Sequence, residues 1–348
     1  MDKRTFIKTL GMGMAALPGS NLALTKVNRH IPTVYPPLIR RGDTIGIITP
    51  SSALVDTEGY AIADKNFSIL GLRVKWGQHV GEKYGHLAGK DEARIADIHD
   101  MFADPTVKAI VCLRGGSGAV RLLDKLDYDL IARNPKIFLG YSDITAFHQA
   151  IHTQTGLVTF HGAVANSPWT PIIINQFEQL FFNGSVPNYA QLGKCIFTKA
   201  DPQDVVRTIT PGVAEGKLLG GNLTVLTGIA GSNYYPDFED SILFLEEVGE
   251  EPYRIDRMLG QLALSGALRK IKGLIFGKCS DCEAKHPDKS LTLQQILDDY
   301  VVPLGIPAYQ GALIGHIDEQ FILPIGARVR MNAANGSITV LENIFSMV

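Results

Sequence analysis

Between Thr44 and Ile151 the chain repeats one pattern: a short apolar run, a loop carrying glycine or serine, then apolar residues at helical spacing. Thr44-Ile-Gly-Ile-Ile-Thr49 is a buried-strand candidate ending at Pro50-Ser-Ser52. Asp91 to Phe102 places Ile95, Ile98, Met101 and Phe102 at a spacing that predicts a helix, stopped by Asp104-Pro105. Lys108 to Leu113 predicts a second strand, Arg114-Gly-Gly-Ser-Gly118 a loop, and Val120 to Leu126 a helical stretch. Lys136-Ile-Phe-Leu139 predicts a third strand, which turns at Gly140-Tyr-Ser-Asp143 into a helix with Ile144, Phe147 and Ile151 on one face. Strand, loop, helix, strand is the signature of a parallel α/β sheet, whose ligands sit at the carboxyl ends of the strands. Both glycine-bearing loops lie at such ends.

The 348 residues are about two domains' worth of chain, taking ~100–200 residues per domain. Periodicity weakens and polar residues collect from Pro187 to Thr210, so 37–190 reads as an N-terminal α/β domain and 191–210 as a linker. Residues 211–348 then form a C-terminal, β-rich domain. It opens with Gly216-Lys-Leu-Leu-Gly-Gly-Asn-Leu223, continues with strand Ile242 to Glu246, helix Tyr253 to Leu264 and strand Ile271 to Phe276, and closes with Ala327 to Met331 and Gly336 to Val340. With Lys+Arg 33 against Asp+Glu 35 and a net charge of −2, the chain lacks the electrostatic footprint of a nucleic-acid binder.

Residues 1–30 stand apart. Met1-Asp-Lys-Arg-Thr-Phe-Ile-Lys8 is a basic start, and the weakly apolar stretch from Leu10 to Leu24 is too short and too broken by glycine and proline to span a bilayer. The segment reads as an export signal, with Lys3-Arg4-Thr-Phe6-Ile-Lys8 resembling a twin-arginine signal in which lysine replaces the first arginine. A periplasmic or otherwise exported protein is therefore expected; the alternative is a disordered cytoplasmic tail. No later segment reads as transmembrane. Of the four cysteines, Cys112 lies in an apolar run and reads as a buried small hydrophobe. Cys279-Ser-Asp-Cys282 has C-x-x-C spacing without a second pair, so incidental thiols are expected rather than a metal or redox centre.

The sharpest chemical signal is Gly140-Tyr-Ser142-Asp-Ile-Thr145. A serine on an abrupt strand-to-helix turn is lifted above the sheet, and the next backbone N–H faces a reacting carbonyl at the positive end of the helix. The nucleophile-elbow pattern wants glycine two places after the serine, where this chain has Ile144; the alternative is a serine that merely caps the helix. A serine hydroxyl needs a base oriented by a carboxylate. His316, where Gly311-Ala-Leu-Ile314 meets a loop, and His161, in Thr159-Phe-His-Gly162, compete for that role, and residue pattern alone leaves the choice open. Glu246 ends an apolar strand. Strand alternation puts Ile242, Phe244 and Glu246 on one face and Leu243, Leu245 and Glu247 on the other, so the two acids cannot enter one site and each needs a partner if buried. The alternative is an exposed strand end. Arg114-Gly-Gly-Ser-Gly118 lacks the G-K-[ST] ending of a phosphate loop and the G-x-G-x-x-G dinucleotide spacing, while its backbone N–H groups suit an oxyanion.

Together these segments resemble the LD-carboxypeptidase family of serine peptidases, which includes muramoyltetrapeptide carboxypeptidases and microcin-immunity hydrolases. The resemblance runs from about Pro37 to the C-terminus. It is carried by Arg41-Gly-Asp-Thr-Ile-Gly46, Pro50-Ser51, Ala88-Gly, Asp91-Glu-Ala-Arg94, Arg114 to Gly118, Leu126-Asp-Tyr-Asp129, Pro135 to Thr145 and Thr159 to Gly162. The second half adds Gly220-Gly-Asn-Leu223, Leu245-Glu246, Tyr253-Arg-Ile-Asp-Arg257 and Gly315-His316. Where the family often has an aromatic residue beside the pocket, this chain has Ser117.

The resemblance implies a flavodoxin-like N-terminal domain akin to class I amidotransferases, a smaller β-rich C-terminal domain, and a homodimer with the active site between the two halves. It implies Ser142 as nucleophile, His316 as general base and Glu246 as the acid orienting it, with the N–H of Asp143 and of Gly115 or Gly116 as oxyanion hole. The implied substrate is a murein tetrapeptide losing its terminal D-alanine, with no cofactor and no metal. Arg114, Arg254 and Arg257 are cations available for its carboxylate. Two alternatives remain: an immunity-type hydrolase of peptidyl or aminoacyl conjugates, and a non-catalytic muropeptide-binding module.

Overall fold

The computed structural model describes residues 31–186, 189 and 206–346. The signal-like segment 1–30 and most of the expected linker lie outside them. Residues from Ile31 onward form one compact unit built on two sheets.

The first half alternates as its apolar runs predict. Strand β1 (Thr44–Ile48) leads through helix α1 (Glu58–Ile69) to β2 (Arg73–Trp76), then α2 (Asp91–Ala103), β3 (Val107–Cys112), β4 (Ile137–Gly140), α3 (Thr145–Thr155) and β5 (Thr159–His161). The predicted helix at Val120–Leu126 is a 3₁₀ helix, Ala119–Lys125. The β1, β3 and β4 side chains are buried almost throughout, the near-continuous apolar reading of a sheet covered on both faces. These strands run parallel in the order β2-β1-β3-β4-β5, the flavodoxin-like arrangement. Its direction reverses between β1 and β3, so their outgoing loops, Pro50–Ser52 and Arg114–Gly118, open the crevice where such sheets bind ligands.

The second half is a seven-stranded mixed sheet ordered β13-β12-β7-β8-β9-β10-β6. Its members are β6 (Arg207–Thr210), β7 (Val213–Asn222), β8 (Ser241–Val248), β9 (Gly273–Ser280), β10 (Ala308–Gln310), β12 (Arg328–Asn332) and β13 (Ser337–Val340). β7 to β10 are parallel, crossed over by α4 (Pro252–Leu264) and α5 (Leu293–Val301), while β6, β12 and β13 pair antiparallel. Two features differ from the sequence reading. The last four residues of the expected linker form strand β6, paired with β10. β11 (Leu323–Ile325), from the C-terminal half, joins the first sheet antiparallel to β5. Strand partners so distant in sequence leave no local pattern to read.

Helix α3 ties the two sheets together. It is buried along nearly its whole surface, polar residues included. From it, Gln149 donates to the Gly220 carbonyl of β7 (2.6 Å), and Thr145 Oγ1 accepts from the Asn222 N–H (3.0 Å). On the other side, His148 bridges the Gly140 carbonyl (2.8 Å) and Thr159 Oγ1 (2.9 Å) of the first sheet. Cys112 is buried and unbonded, as its apolar run predicts. No helix among the described residues is long and apolar enough to cross a membrane.

Burial pulls the pKa of His148 and of His152 down to about 4 from the ordinary 6.5. The unfolded chain therefore takes up protons that the fold refuses, so this contribution is fully present above pH 6.5 and is lost as pH falls from 6.5 to 4. Each such imidazole is worth on the order of 3 kcal/mol across that window. Urea unfolding at pH 7 and pH 5 should show wild type losing more stability than His152→Asn, in which the carboxylates common to both cancel. Equal losses would mean that His152 is charged in the fold.

Candidate active site

Ser142 stands where β4 passes into α3, at φ +65°, a left-handed backbone that few non-glycine residues adopt. Such strain is expected where a nucleophile is forced above a sheet edge. A short 3₁₀ turn, Ser142–Ile144, precedes the helix, whose N-cap is Ile144 and carries no side-chain cap bond. The serine hydroxyl is therefore not a helix cap. The departure from the elbow pattern at Ile144 has a local explanation: a Cβ on Gly140 would lie 3.0 Å from Ile144 Cγ2, so the glycine two places before the serine leaves the room that Ile144 fills.

Ser142 Oγ lies 3.0 Å from His316 Nε2, and His316 Nδ1 lies 2.9 Å from Glu246 Oε2. Three segments from two sheets meet here in the order hydroxyl, imidazole, carboxylate. Glu246 is fully buried, and its Oε1 has no hydrogen-bond partner among the described residues. Gly315, at φ +128°, sits against it: an added Cβ would lie 3.1 Å from Glu246 Oε2 and 3.2 Å from Glu246 Cβ. Glu247 points to the other face, as alternation requires, where Asn222 Nδ2 (3.0 Å), the Thr224 N–H (2.8 Å), the Thr224 hydroxyl (2.7 Å) and the Val248 N–H (2.9 Å) donate to it. Burial pushes its pKa up. Neither acid is an exposed strand end.

His161 is fully buried, edge-on to Phe244 and Tyr141, with both ring nitrogens unpartnered among the described residues. Burial holds its pKa well below the ordinary histidine value. The His316 side chain keeps 21% of its surface exposed, whereas His161 is closed off from water. This separates the two histidines that residue pattern left level.

The loops around Ser142 are pinned by side chains that the sequence reading did not single out for this purpose. The buried Asp143 carboxylate accepts from the Ser51 hydroxyl and from the Ala119 N–H (2.8 Å). Burial raises its pKa. Arg94, also buried, donates to the carbonyls of Pro50 (2.7 Å) and Gly118 (3.0 Å) and to Asp91 (2.7 Å). Ser52 bridges to Ser117, accepting from its N–H (2.9 Å). The Gly115 backbone lies directly against the serine, since a Cβ there would come 2.8 Å from Ser142 Cβ. Gly116 is exposed beside it. A Cβ on Gly115 would also come 3.1 Å from Ser142 Oγ, so backbone of this loop closes on the hydroxyl, where N–H groups can stabilise an oxyanion.

Of the three candidate cations, Arg114 is tied to the Ala53 carbonyl (2.9 Å), while Arg254 and Arg257 flank the exposed Tyr253 ring, each at 5.7 Å. Among the described residues no group of three His, Cys, Asp or Glu is placed to hold a metal ion. Cys279 and Cys282, expected as incidental thiols, are joined as a disulfide. The turn after β9 brings their Cα atoms to 5.6 Å, within bonding reach.

Gly315→Ala should lower turnover on the order of tenfold to a hundredfold, because its Cβ strains the backbone and displaces the carboxylate. Circular dichroism should show a folded protein, and unchanged kinetics would contradict this packing.

Residues 45–162 match the family description LD-carboxypeptidase N-terminal domain, and residues 215–331 match LD-carboxypeptidase C-terminal domain. The chain is 40% identical over 306 residues to a probable murein peptide carboxypeptidase of Bacillus subtilis (strain 168), covering 88% of this chain and 93% of that protein. It resembles the crystal structure of an MccF-like protein from Bacillus anthracis str. Ames at TM-score 0.75 and 30% identity, covering 89% of this chain and 99% of the other. The crystal structure of a muramoyltetrapeptide carboxypeptidase from Oxalobacter formigenes is similar at TM-score 0.71 and 30% identity, covering 85% and 97%.

Proposed function

The chain belongs to the LD-carboxypeptidase family, and from that premise we propose that it is a serine carboxypeptidase releasing the terminal D-alanine from murein tetrapeptides. The observation that carries the reading is the continuous chain from Ser142 through His316 to Glu246, with both hydrogen bonds near 3 Å.

In this reading Ser142 Oγ attacks the carbonyl of the L,D-amide bond while His316 Nε2 takes its proton. Glu246 Oε2 accepts the hydrogen bond from His316 Nδ1–H, holding the ring and balancing the imidazolium that forms. The oxyanion meets the N–H of Asp143 and of Gly115 or Gly116. His316 then passes the proton to the departing D-alanine nitrogen, leaving an acyl-enzyme. Water, deprotonated by the same imidazole, attacks the ester carbonyl and restores the Ser142 hydroxyl.

We further place the enzyme in the cell envelope. The basic, signal-like start supports this, as does the Cys279–Cys282 disulfide, a bond that persists in oxidising compartments. The second reading, an immunity-type hydrolase of peptidyl or aminoacyl conjugates, draws on the likeness to the MccF-like structure.

Purified protein should release D-alanine from a synthetic tetrapeptide ending in L-diamino acid–D-Ala. Turnover of an aminoacyl sulfamoyl nucleotide in its place would favour the second reading. Ser142→Ala should cost on the order of 10⁴–10⁶ in kcat with folding intact. Glu246→Gln should cost on the order of 10⁴. Glu247→Gln, which disturbs the Asn222, Thr224 and Val248 contacts and leaves the Ser142–His316–Glu246 chain untouched, should show its effect in Tm; the reverse pattern would reassign the carboxylate.

A further inference from the structure

The segment carrying His316 is held from outside by the end of β9. β10 pairs with β9 only as far as Phe276. Beyond that residue the freed edge of β9 takes up the histidine segment instead: the Lys278 N–H donates to the Ile314 carbonyl (2.8 Å), and Ser280 Oγ donates to the His316 carbonyl (2.9 Å). On its other edge β9 stays paired with β8 across a register shift between Leu245 and Glu247, with Cys279 opposite Glu247 and Ser280 opposite Val248. Strand β8 carries Glu246, so this short end of β9 touches the supports of both the imidazole and the carboxylate.

Strand ends fray, and this one runs into a turn with Asp281 in the left-handed region at φ +55°. The Cys279–Cys282 bond closes that turn covalently, with Ser280 inside the loop it makes. Cys282 is buried but Cys279 is half-buried, so a small dithiol can reach the bond from the Cys279 side.

We propose that Ser280 is a positioning residue for His316, and that the Cys279–Cys282 disulfide enclosing it makes this positioning redox-sensitive, reduction lowering turnover. The proposal rests on the reading of His316 as the base. A dithiol such as dithiothreitol delivers two electrons and two protons to the S–S bond. Cys279 and Cys282 become thiols, and the reductant becomes its own cyclic disulfide. The turn is then held by hydrogen bonds alone, and the imidazole loses its fixed distance from Ser142. A misplacement of about 1 Å is enough to cost on the order of a hundredfold, and a looser hold on the ring is expected to cost on the order of tenfold.

The test compares oxidised and dithiothreitol-reduced wild type, with thiol release confirmed by iodoacetamide mass shift. It reads kcat and KM on the tetrapeptide and the rate of Ser142 labelling by a fluorophosphonate. Reduction should lower kcat and the labelling rate together, about tenfold, with KM unchanged. The double variant Cys279→Ser, Cys282→Ser should start at the reduced level and ignore the reductant. Ser280→Ala should fall likewise, and Ser280→Thr, which keeps the hydroxyl, should recover. A purely structural role would move Tm without this kcat-against-KM split. Equal labelling and turnover in the two wild-type forms, with the thiols shown to be free, overturns the proposal and leaves the catalytic reading standing. Labelling without tetrapeptide turnover overturns the substrate reading, and the labelling ratio still decides this one. No labelling in either form overturns both.

Discussion

An imidazole can join a hydroxyl to a carboxylate only when both lie about 3 Å from its two ring nitrogens at once. In this chain the hydroxyl follows a strand of one sheet and the carboxylate lies near the end of a strand of another, so the site exists only while the two sheets hold a fixed spacing. Helix α3 sets that spacing. It leaves the Ser142 turn directly, lies buried, and sends Gln149 and Thr145 to β7 while His148 grips β4 and β5. The helix that lifts Ser142 also bonds the strand next to the one carrying Glu246. A shift of the second sheet would strain buried hydrogen bonds before it opened the distance to His316, and breaking such bonds is costly away from water.

Burial gives the site its electrostatic character. Glu246 and Glu247 are adjacent carboxylates with almost no exposed surface, which would be untenable on one face of a strand. Alternation sends one to an imidazole and the other to the donors of Asn222, Thr224 and Val248. Asp143, buried beside Ser142, spends its carboxylate on Ser51 and Ala119, thereby locking the loops after β1 and β3 at the reversal of strand order. Arg94 crosses the same gap from below, to Pro50 and Gly118. The glycine-bearing loop beside Ser142 is thus anchored at its outgoing end, Gly118–Ala119, by two buried side chains.

What could be read from the chain alone follows the range of each interaction. Strand, loop and helix in the first half were legible because burial imposes its period on neighbouring residues. The abrupt turn at Ser142 was legible because its signal is concentrated in six residues. The opposed faces of Glu246 and Glu247 followed from strand geometry alone. The choice between His161 and His316 was not legible. Both follow an apolar stretch, and what separates them is accessibility, which depends on Tyr141 and Phe244 closing over one ring and leaving the other open. The resemblance to a known family favoured His316, whereas the residue pattern did not. β11 crossing to the first sheet, β6 emerging at the end of the expected linker, and the bond between Cys279 and Cys282 were missed for the same reason. Each is decided by a partner that tertiary structure brings near, and C-x-x-C spacing is equally compatible with free thiols.

The strain at Ser142 completes the argument. A left-handed serine is sustained only if surrounding contacts outweigh a cost on the order of 1–3 kcal/mol. Those contacts are visible: Ile144 fills the space over Gly140, the Gly140 carbonyl is bonded by the neutral His148, and the Gly115 backbone closes the other side. A protonated His148 could still donate to that carbonyl, but it would have to carry an unpaired charge in a fully buried position. The neutral imidazole under β4 and the solvent-touched imidazole above it are therefore complementary parts of one design. One bonds the turn from a buried position that disfavours its charged form, and the other stays open to solvent beside the Ser142 hydroxyl.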